Sequence, residues 1–337
     1  MNRSNKNFLT KSFKFLSHWR SLPPYELLSY FLMYASVPML AYGVNNYNSD
    51  IIQIIVFTIV TLYSGFFAAL IWNDITDADI DEVAHPDRPI PSGRISKKKF
   101  FAIALIFSAM VFIFSTMISI ICFFVVGFAA LFVTFHDKYL KKSVRIPAYS
   151  EIFTPIQWIV VAIFGFMAIW TALPQSSAIV INIPFLGSIS TSSESVLQML
   201  LLVIFTYFAD NAHDLPEGIH DYAGDKTQGV RTYATSFGIV NAARISFSMF
   251  FLSGLFAFLL YFKTSLSLMF LLPFIIIWIY ILSRSYRLLK TNDDNRKEIA
   301  KMVGRKGYDY FLMSYNLIFL DLFIQILLKN YGISIML

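Results

Sequence analysis

Carboxylates concentrate in a short segment, Asn73–Asp81, at a spacing suited to binding a divalent cation. If a helix continues through it, Asn73, Asp77 and Asp81 lie at positions i, i+4 and i+8 on one face. Like charges at that spacing repel one another, and a bound cation would compensate for the repulsion. Carboxylate oxygens suit Mg²⁺, which keeps several waters and is often completed by substrate phosphates.

A second acidic segment, residues 210–226, repeats this arrangement later in the chain. The positions at i, i+4, i+7 and i+11 of a helix, which share one face, are Asp214, Gly218, Asp221 and Asp225. We expect Pro216 to kink or restart the helix there, because proline lacks the backbone N–H. The five histidines and the single cysteine have no ligand-like spacing, so zinc is not expected.

Basic residues accompany both acidic segments. Arg88 and Arg94 follow the first, Lys226 follows the second, and Lys141 lies in a basic loop between them. Arginine and lysine can bind the diphosphate oxygens that a metal ion leaves free. The predicted diphosphate-binding residues are Asn73, Arg88, Arg94, Lys141 and Lys226.

The elements that carry these segments must lie in lipid. Of 337 residues, 57% are hydrophobic and 14% are charged, and the mean hydropathy is +0.61. A soluble domain carries about a quarter charged residues. The sequence therefore predicts an all-α, polytopic membrane protein. About nine apolar spans can be read from it, near residues 27–44, 51–72, 100–119, 120–135, 152–173, 196–209, 240–262, 266–282 and 311–328.

The loops between the spans alternate between basic and nearly uncharged. Because basic loops stay in the cytoplasm, we expect a cytoplasmic N-terminus and both acidic segments on the cytoplasmic side. The net charge of +6 belongs to these loops and does not indicate nucleic acid binding. We expect a basic arm over residues 1–24 and a single transmembrane domain over residues 25–337, with motif loops at 73–99 and 210–239. Cys122, in an apolar run, is expected to be a buried core residue.

At these residues the chain resembles the UbiA superfamily of intramembrane prenyltransferases. The N-D-x-x-D-x-x-x-D motif of that family matches Asn73, Asp74, Asp77 and Asp81, and its D-x-x-x-D motif matches Asp221 and Asp225. A Gly-x-x-Thr tail follows at residues 229–232. The run 86–96 resembles branches that use long isoprenoid diphosphates, such as chlorophyll synthases and archaeal ether-lipid synthases.

The resemblance implies a nine-helix bundle around a central cavity that opens sideways to lipid. It implies two Mg²⁺ ions that bind an isoprenyl diphosphate, whose allylic C–O bond ionises so that an acceptor captures the carbocation. The expected metal ligands are Asn73, Asp74, Asp77, Asp81, Asp214, Asp221 and Asp225. Asp77 and Asp221 are the expected catalytic carboxylates. The expected partners are an isoprenyl diphosphate donor, an acceptor that the sequence does not identify, and a lipid bilayer, which is the inner or plasma membrane if the protein is bacterial.

The chain departs from the family at the second motif, where relatives commonly carry Asp at the position of Gly218. His213 and His220 flank the motif, either as polar residues at a wet helix end or as groups that assist deprotonation. Two alternatives to prenyl transfer remain open. One is a terpene cyclase of the same fold, which needs no acceptor. The other is a transporter, which is less favoured because the carboxylates cluster at one membrane side rather than near the midplane.

Overall fold

The computed structural model describes residues 23–84, 86–140, 143–173 and 179–331, most of them in helices. The helices are α1 Pro24–Tyr42, α2 Ser49–Thr76, α3 Ala78–Ala84, α4 Lys97–Ile118, α5 Ile120–Phe135, α6 Tyr149–Phe153, α7 Ile156–Ala172, α8 Ser193–His220, α9 Tyr222–Gln228, α10 Tyr233–Phe237, α11 Ile239–Lys263, α12 Leu268–Lys290 and α13 Asp293–Asn330. A π-helical turn, His136–Leu140, follows α5. Lys141 and most of the predicted N-terminal arm lie outside the described residues.

Seven helical segments in the described part of the chain are long and apolar enough to cross a membrane. They are α2, α4, α6 together with α7, α8, α11, α12 and most of α13. The prediction of a multi-pass helical membrane protein is confirmed. The two other predicted spans fall on α1, with 19 residues, and on α5, with 16, which do not meet that criterion. The count of nine spans, the domain division and the side on which the N-terminus lies stay predictions.

Helix α8 lies at the centre of the packing, with its most extensive contacts to α11 and α13. Helix α13 also packs on α1 and α12, and α2 packs mainly on α4. Large aromatic side chains fill the interior, among them Phe205, Phe250, Phe274 and Phe311, each exposed by no more than 1%. The predicted buried position of Cys122 is confirmed, since its exposure is 0%. The many apolar side chains that remain exposed on the helices suit contact with lipid.

Helix α8 runs through Pro216 to His220, so the predicted restart at the proline is wrong. Proline cannot donate a hydrogen bond to the carbonyl four residues before it, here that of Ala212. The Ser246 hydroxyl of α11 donates to this carbonyl instead, at 2.7 Å. Helix α11 thus supplies the donor that the proline cannot provide, and α8 continues through Pro216.

The uncharged segment between α7 and α8, which was expected to be a loop, contains a β-hairpin. Strands β1, Ile179–Ile183, and β2, Gly187–Thr191, pair antiparallel in the register Ile179↔Thr191 to Ile183↔Gly187. The β-branched residues of β1 favour an extended strand. The hairpin lies at the N-terminal end of α8, and the acidic segment lies at the other end of the same helix.

Candidate functional site

The first acidic segment lies at a joint between two helices. Asp77 is the single residue between α2 and α3, with φ −95° and ψ 4°. Its N–H still donates to the Asn73 carbonyl at 2.9 Å, and the Asp81 N–H donates to the Asp77 carbonyl at 2.8 Å. These two bonds connect Asn73, Asp77 and Asp81 in succession, although the helix is interrupted at Asp77 between α2 and α3.

The second acidic segment has the same construction. Asp221 is the single residue between α8 and α9, with φ −89° and ψ 3°. Its N–H donates to the Glu217 carbonyl at 2.9 Å, and the Asp225 N–H donates to the Asp221 carbonyl at 3.1 Å. Backbone near these angles is sparsely populated and is frequent at active sites. The two carboxylates predicted to be catalytic thus occupy equivalent joints, each between a long helix and a helix of seven residues.

Exposure divides the residues of the first motif. Asp74 and Asp81 are buried, at 1% and 2% exposure, whereas Asn73 is exposed and Asp77 is partly buried. The Arg88 guanidinium lies 2.7 Å from each carboxylate oxygen of Asp81. A predicted metal ligand and a predicted diphosphate-binding residue are therefore paired with each other, which compensates the charge of a buried carboxylate.

The second motif continues inward along α8 through His213. The His213 Nε2 atom lies 3.0 Å from Asp210 Oδ1, and its Nδ1 atom lies 3.4 Å from Asp214 Oδ1. His213 is buried at 5% exposure, so its interpretation as a polar residue at a wet helix end is wrong. His220 is partly exposed, and its Nδ1 atom lies 2.6 Å from Asp221 Oδ1. Each imidazole thus contacts a predicted metal ligand.

Helix α13 approaches this part of α8 through two glycines. A Cβ atom at Gly307 would lie 2.7 Å from His213 Cβ, and one at Gly304 would lie 2.7 Å from Glu217 Cγ. Only glycine permits such an approach between helices. The next residue, Tyr308, packs its ring against the imidazole of His213, with 5.0 Å between the ring centroids. This close contact fixes the position of α8 relative to α13, and therefore the position of the carboxylates on α8.

The predicted diphosphate-binding residues of the loops are mostly exposed. Lys226 follows Asp225 on α9, and its ammonium group lies 3.4 Å from the Tyr222 hydroxyl. Arg94 is exposed, with its Nε atom 3.0 Å from the Ser92 hydroxyl. Both residues lie on loops or short helices beside the motifs, as the sequence predicted.

Glu151, at the start of α6, is a buried carboxylate that was not among the predicted site residues. Its exposure is 5%, and its carboxylate accepts a hydrogen bond from the Tyr233 backbone N–H. A Cβ atom added at Gly218 would collide with the Glu151 carboxylate. Burial raises the pKa of the Tyr233 phenol well above its ordinary value, so this side chain stays neutral. One signal was available, because Glu151 is the only acidic residue between Asp137 and Glu194 and begins an apolar span.

The donor set fits an ion such as Mg²⁺. It consists of carboxylate and amide oxygens, and the buried Asp210 Oδ2 and Asn211 Oδ1 atoms have no hydrogen-bond partner among the described residues. Within the described ranges, no three His, Cys, Asp or Glu residues lie close enough to hold a metal by themselves. Mg²⁺ does not need such a cage, because one or two carboxylates, waters and substrate phosphates complete its coordination.

Comparison with known sequences supports the resemblance. Residues 30–313 match the UbiA prenyltransferase family. The chain belongs to this family. This range includes both acidic joints, Arg88 and Glu151, and the family assignment made from the motifs is confirmed.

Individual relatives are distant. A digeranylgeranylglyceryl phosphate synthase from Saccharolobus solfataricus is 26% identical over 188 residues, which cover 55% of this chain and 58% of the relative. The chain spans between 51% and 58% of the length of this and two further relatives with the same name. Among solved structures, a UbiA homologue from Aeropyrum pernix K1 aligns with a TM-score of 0.61 at 16% identity, covering 90% of this chain and 98% of that chain. A structure of digeranylgeranylglyceryl phosphate synthase aligns with a TM-score of 0.56 at 17% identity, covering 88% and 98%. These two likenesses establish the fold.

Proposed function

We propose that the protein transfers an isoprenyl group from an isoprenyl diphosphate to an acceptor within the membrane. The pair of equivalent acidic joints at Asp77 and Asp221, in a chain of the UbiA family, carries the proposal. Two carboxylate-rich helix ends can share one polyanionic substrate through bound cations, whereas a single solvated helix end has no such role.

Each joint supplies oxygen ligands for Mg²⁺. Asn73, Asp74, Asp77 and Asp81 would hold it at the first, and Asp214, Asp221 and Asp225 at the second. Bound there, Mg²⁺ would stabilise the negative charge that develops on the leaving diphosphate. Asp77 and Asp221, one at each joint, are the carboxylates to which we assign the catalytic role.

The basic side chains have a complementary role. Arg88, Arg94 and Lys226, together with Lys141, would bind the diphosphate oxygens left free by the metal. Arg88 would have to share its guanidinium between the diphosphate and Asp81, which it contacts through two 2.7 Å hydrogen bonds. The pair keeps both charges in place, so neither side chain loses its orientation in a buried setting.

The reaction follows from these groups. The allylic C–O bond breaks and its electron pair leaves with the diphosphate, giving a carbocation. The acceptor supplies the electron pair of the new bond to the first prenyl carbon and then loses a proton. Aromatic rings in the bundle would shelter the cation from water.

The names of the sequence relatives favour a lipidic acceptor over a small aromatic one. Those relatives are named for a product that carries two geranylgeranyl groups on glyceryl phosphate. For this chain, the corresponding acceptor is a glyceryl phosphate that already bears one isoprenyl ether. The basic loops around both joints support a cytoplasmic site.

The test is diphosphate release by the purified protein in nanodiscs, given geranyl, farnesyl or geranylgeranyl diphosphate with or without an acceptor panel. We expect release that requires Mg²⁺ and is abolished in Asp77→Ala and Asp225→Ala variants, with a prenylated acceptor as the organic product. Asp79→Ala, which removes an exposed carboxylate of α3 outside the predicted set, serves as the control and should stay active.

Other outcomes would change the assignment. A hydrocarbon or terpene alcohol formed without acceptor would identify a cyclase. Failure to release diphosphate from every donor, with every acceptor, would contradict the catalytic proposal and favour transport.

A further inference from the structure

The acidic face of the second motif has a gap at Gly218. Asp214, Gly218, Asp221 and Asp225 follow one another at helical spacing, and Asp221 makes one backbone hydrogen bond to each of the two helices that it joins. The carboxylate of Glu151 fills the space beside Gly218 so closely that a Cβ atom there would collide with its Oε1 atom. A neighbouring helix thus brings a carboxylate to the one position of the row that lacks a side chain.

Glu151 also lies where two loop segments meet. It accepts the Tyr233 N–H, one residue after the Gly-x-x-Thr tail of the second motif. Beside it, the Ser150 N–H donates to the Arg231 carbonyl at 3.2 Å, and the Arg231 guanidinium donates to the Arg145 carbonyl. The basic loop before α6 and the tail of the motif are therefore held together at this carboxylate.

We propose that Glu151 is a positioning residue of the second acidic motif, which completes its row of carboxylates at Gly218 and holds its tail in place. The proposal rests on the proposed function, because it assigns Glu151 to the same metal–diphosphate site. Residues that orient metal ligands typically change metal affinity or activity by about 10–100-fold when mutated. Glu151 acts through its charge and its hydrogen bond, since it is buried and already bonded to a backbone N–H.

The deciding variant is Glu151→Gln, which keeps the shape and one acceptor oxygen for the Tyr233 N–H but removes the charge. Binding of Mn²⁺, as a paramagnetic probe for Mg²⁺, is measured from the signal of the free ion in the presence of inorganic pyrophosphate. We expect an affinity about 10–100-fold lower than in the wild type. In the diphosphate-release assay the Mg²⁺ midpoint should rise by the same factor, with a smaller change in kcat at saturating Mg²⁺.

Glu217→Gln is the matched control, because it removes a carboxylate one residue from Gly218 that faces Gly304 of α13.

A relocated carboxylate provides a second test. Glu151→Ala combined with Gly218→Asp should bind Mn²⁺ more tightly than Glu151→Ala combined with Gly218→Asn. A Glu151→Gln variant that binds Mn²⁺ and titrates Mg²⁺ like the wild type would overturn the proposal and leave the proposed function intact. Absence of Mg²⁺-dependent release in the wild type would instead count against the function.

The β-hairpin gives rise to an independent inference. Its first strand exposes Ile179, Val180 and Ile181 by 50–57%, although neighbouring residues of a strand point to opposite faces. The tip residue Phe185 is completely exposed. No charged residue occurs from Leu173 to Ser193. Both faces of this strand are thus apolar, and water is a poor solvent for them.

The position of the hairpin indicates that the lipid headgroup region covers it. Helix α8, with 28 residues, separates it from the acidic joint by about 42 Å at 1.5 Å per residue. This matches the roughly 40–45 Å thickness of a bilayer with its headgroup regions. The second strand packs on α7, with Ser190 and Thr191 buried, so the hairpin stays beside the ends of two helices. The outer edges of a two-stranded hairpin carry unpaired backbone groups, which excludes the hydrocarbon core.

We infer that the hairpin lies in the lipid headgroup region of the leaflet opposite the acidic joints, with Phe185 as its anchor. The test attaches an environment-sensitive fluorophore to Phe185→Cys in a Cys122→Ala background, in phosphatidylcholine vesicles with spin-labelled lipids. Asn46→Cys, in an exposed polar loop on the same side, is the control. We expect blue-shifted emission at position 185, quenched more by a headgroup spin label than by a deep acyl label, and water-like emission at position 46.

Water-like emission at position 185 with strong quenching by iodide would overturn the inference. Blue-shifted emission that no lipid label quenches would also overturn it, and would indicate burial against a second copy of the chain.

Discussion

The contact between α8 and α13 leads to a prediction that joins packing to activity. Gly307 faces His213, the residue between Asp210 and Asp214. In a Gly307→Ala variant, the new Cβ atom would lie 2.7 Å from His213 Cβ and 2.6 Å from Phe250 Cζ. Carbon atoms prefer separations of about 3.5–4.0 Å. The two helices must therefore separate by roughly 1 Å.

The magnitude follows from two opposing terms. Overpacking of this kind costs about 1–3 kcal/mol. Replacing glycine by alanine within a helix gains about 0.5–1 kcal/mol. We expect a net destabilisation of up to about 2.5 kcal/mol. Because a shift of about 1 Å at reacting groups can lower a rate about 100-fold, turnover should fall more steeply than stability.

Unfolding can be followed with a thiol-reactive dye, because the single cysteine, Cys122, is completely buried and reacts only when the bundle opens. Gly65→Ala is the matched control, since its Cβ atom would lie 3.8 Å from Val111 Cγ2, an ordinary contact. The control should unfold at or above the wild-type temperature and keep its activity. A Gly307→Ala variant with wild-type stability and diphosphate release would refute the reasoning.

Two further predictions concern polar contacts. Ser246→Ala should destabilise the protein by about 1–3 kcal/mol, because it leaves the Ala212 carbonyl unsatisfied. In a Pro216→Ala background the helix can supply its own N–H to this carbonyl, so thermal unfolding should show that most of the cost is removed. Additive effects of the two substitutions would contradict the argument. Arg88→Lys keeps the charge but loses the bonds to both Asp81 oxygens, so KM for the isoprenyl diphosphate should rise several-fold with a smaller change in kcat, and an unchanged KM would exclude Arg88 from diphosphate binding.

The two acidic motifs could be predicted from the sequence because carboxylates are rare in an apolar chain. Their spacing along a helix depends only on neighbouring residues. The family assignment and the multi-pass helical architecture followed from the same signals. The equivalent placement of Asp77 and Asp221 at helix joints could not be predicted, because a one-residue interruption between two helices leaves no mark in composition. The continuation of α8 through Pro216 depends on Ser246 of α11, 30 residues away in sequence.

The sequence by itself determined that this chain lies in lipid, and that it carries two oxygen-rich motifs of the UbiA family. Hydropathy and helical periodicity are properties of neighbouring residues, so no partner is needed to read them. Only the tertiary structure decided that His213 is buried between two carboxylates and that Glu151 lies against Gly218. The burial of His213 under Gly307 of α13 and the contact of Glu151 with Gly218 join residues far apart in the chain, and both depend on a glycine that leaves room for the neighbouring atoms.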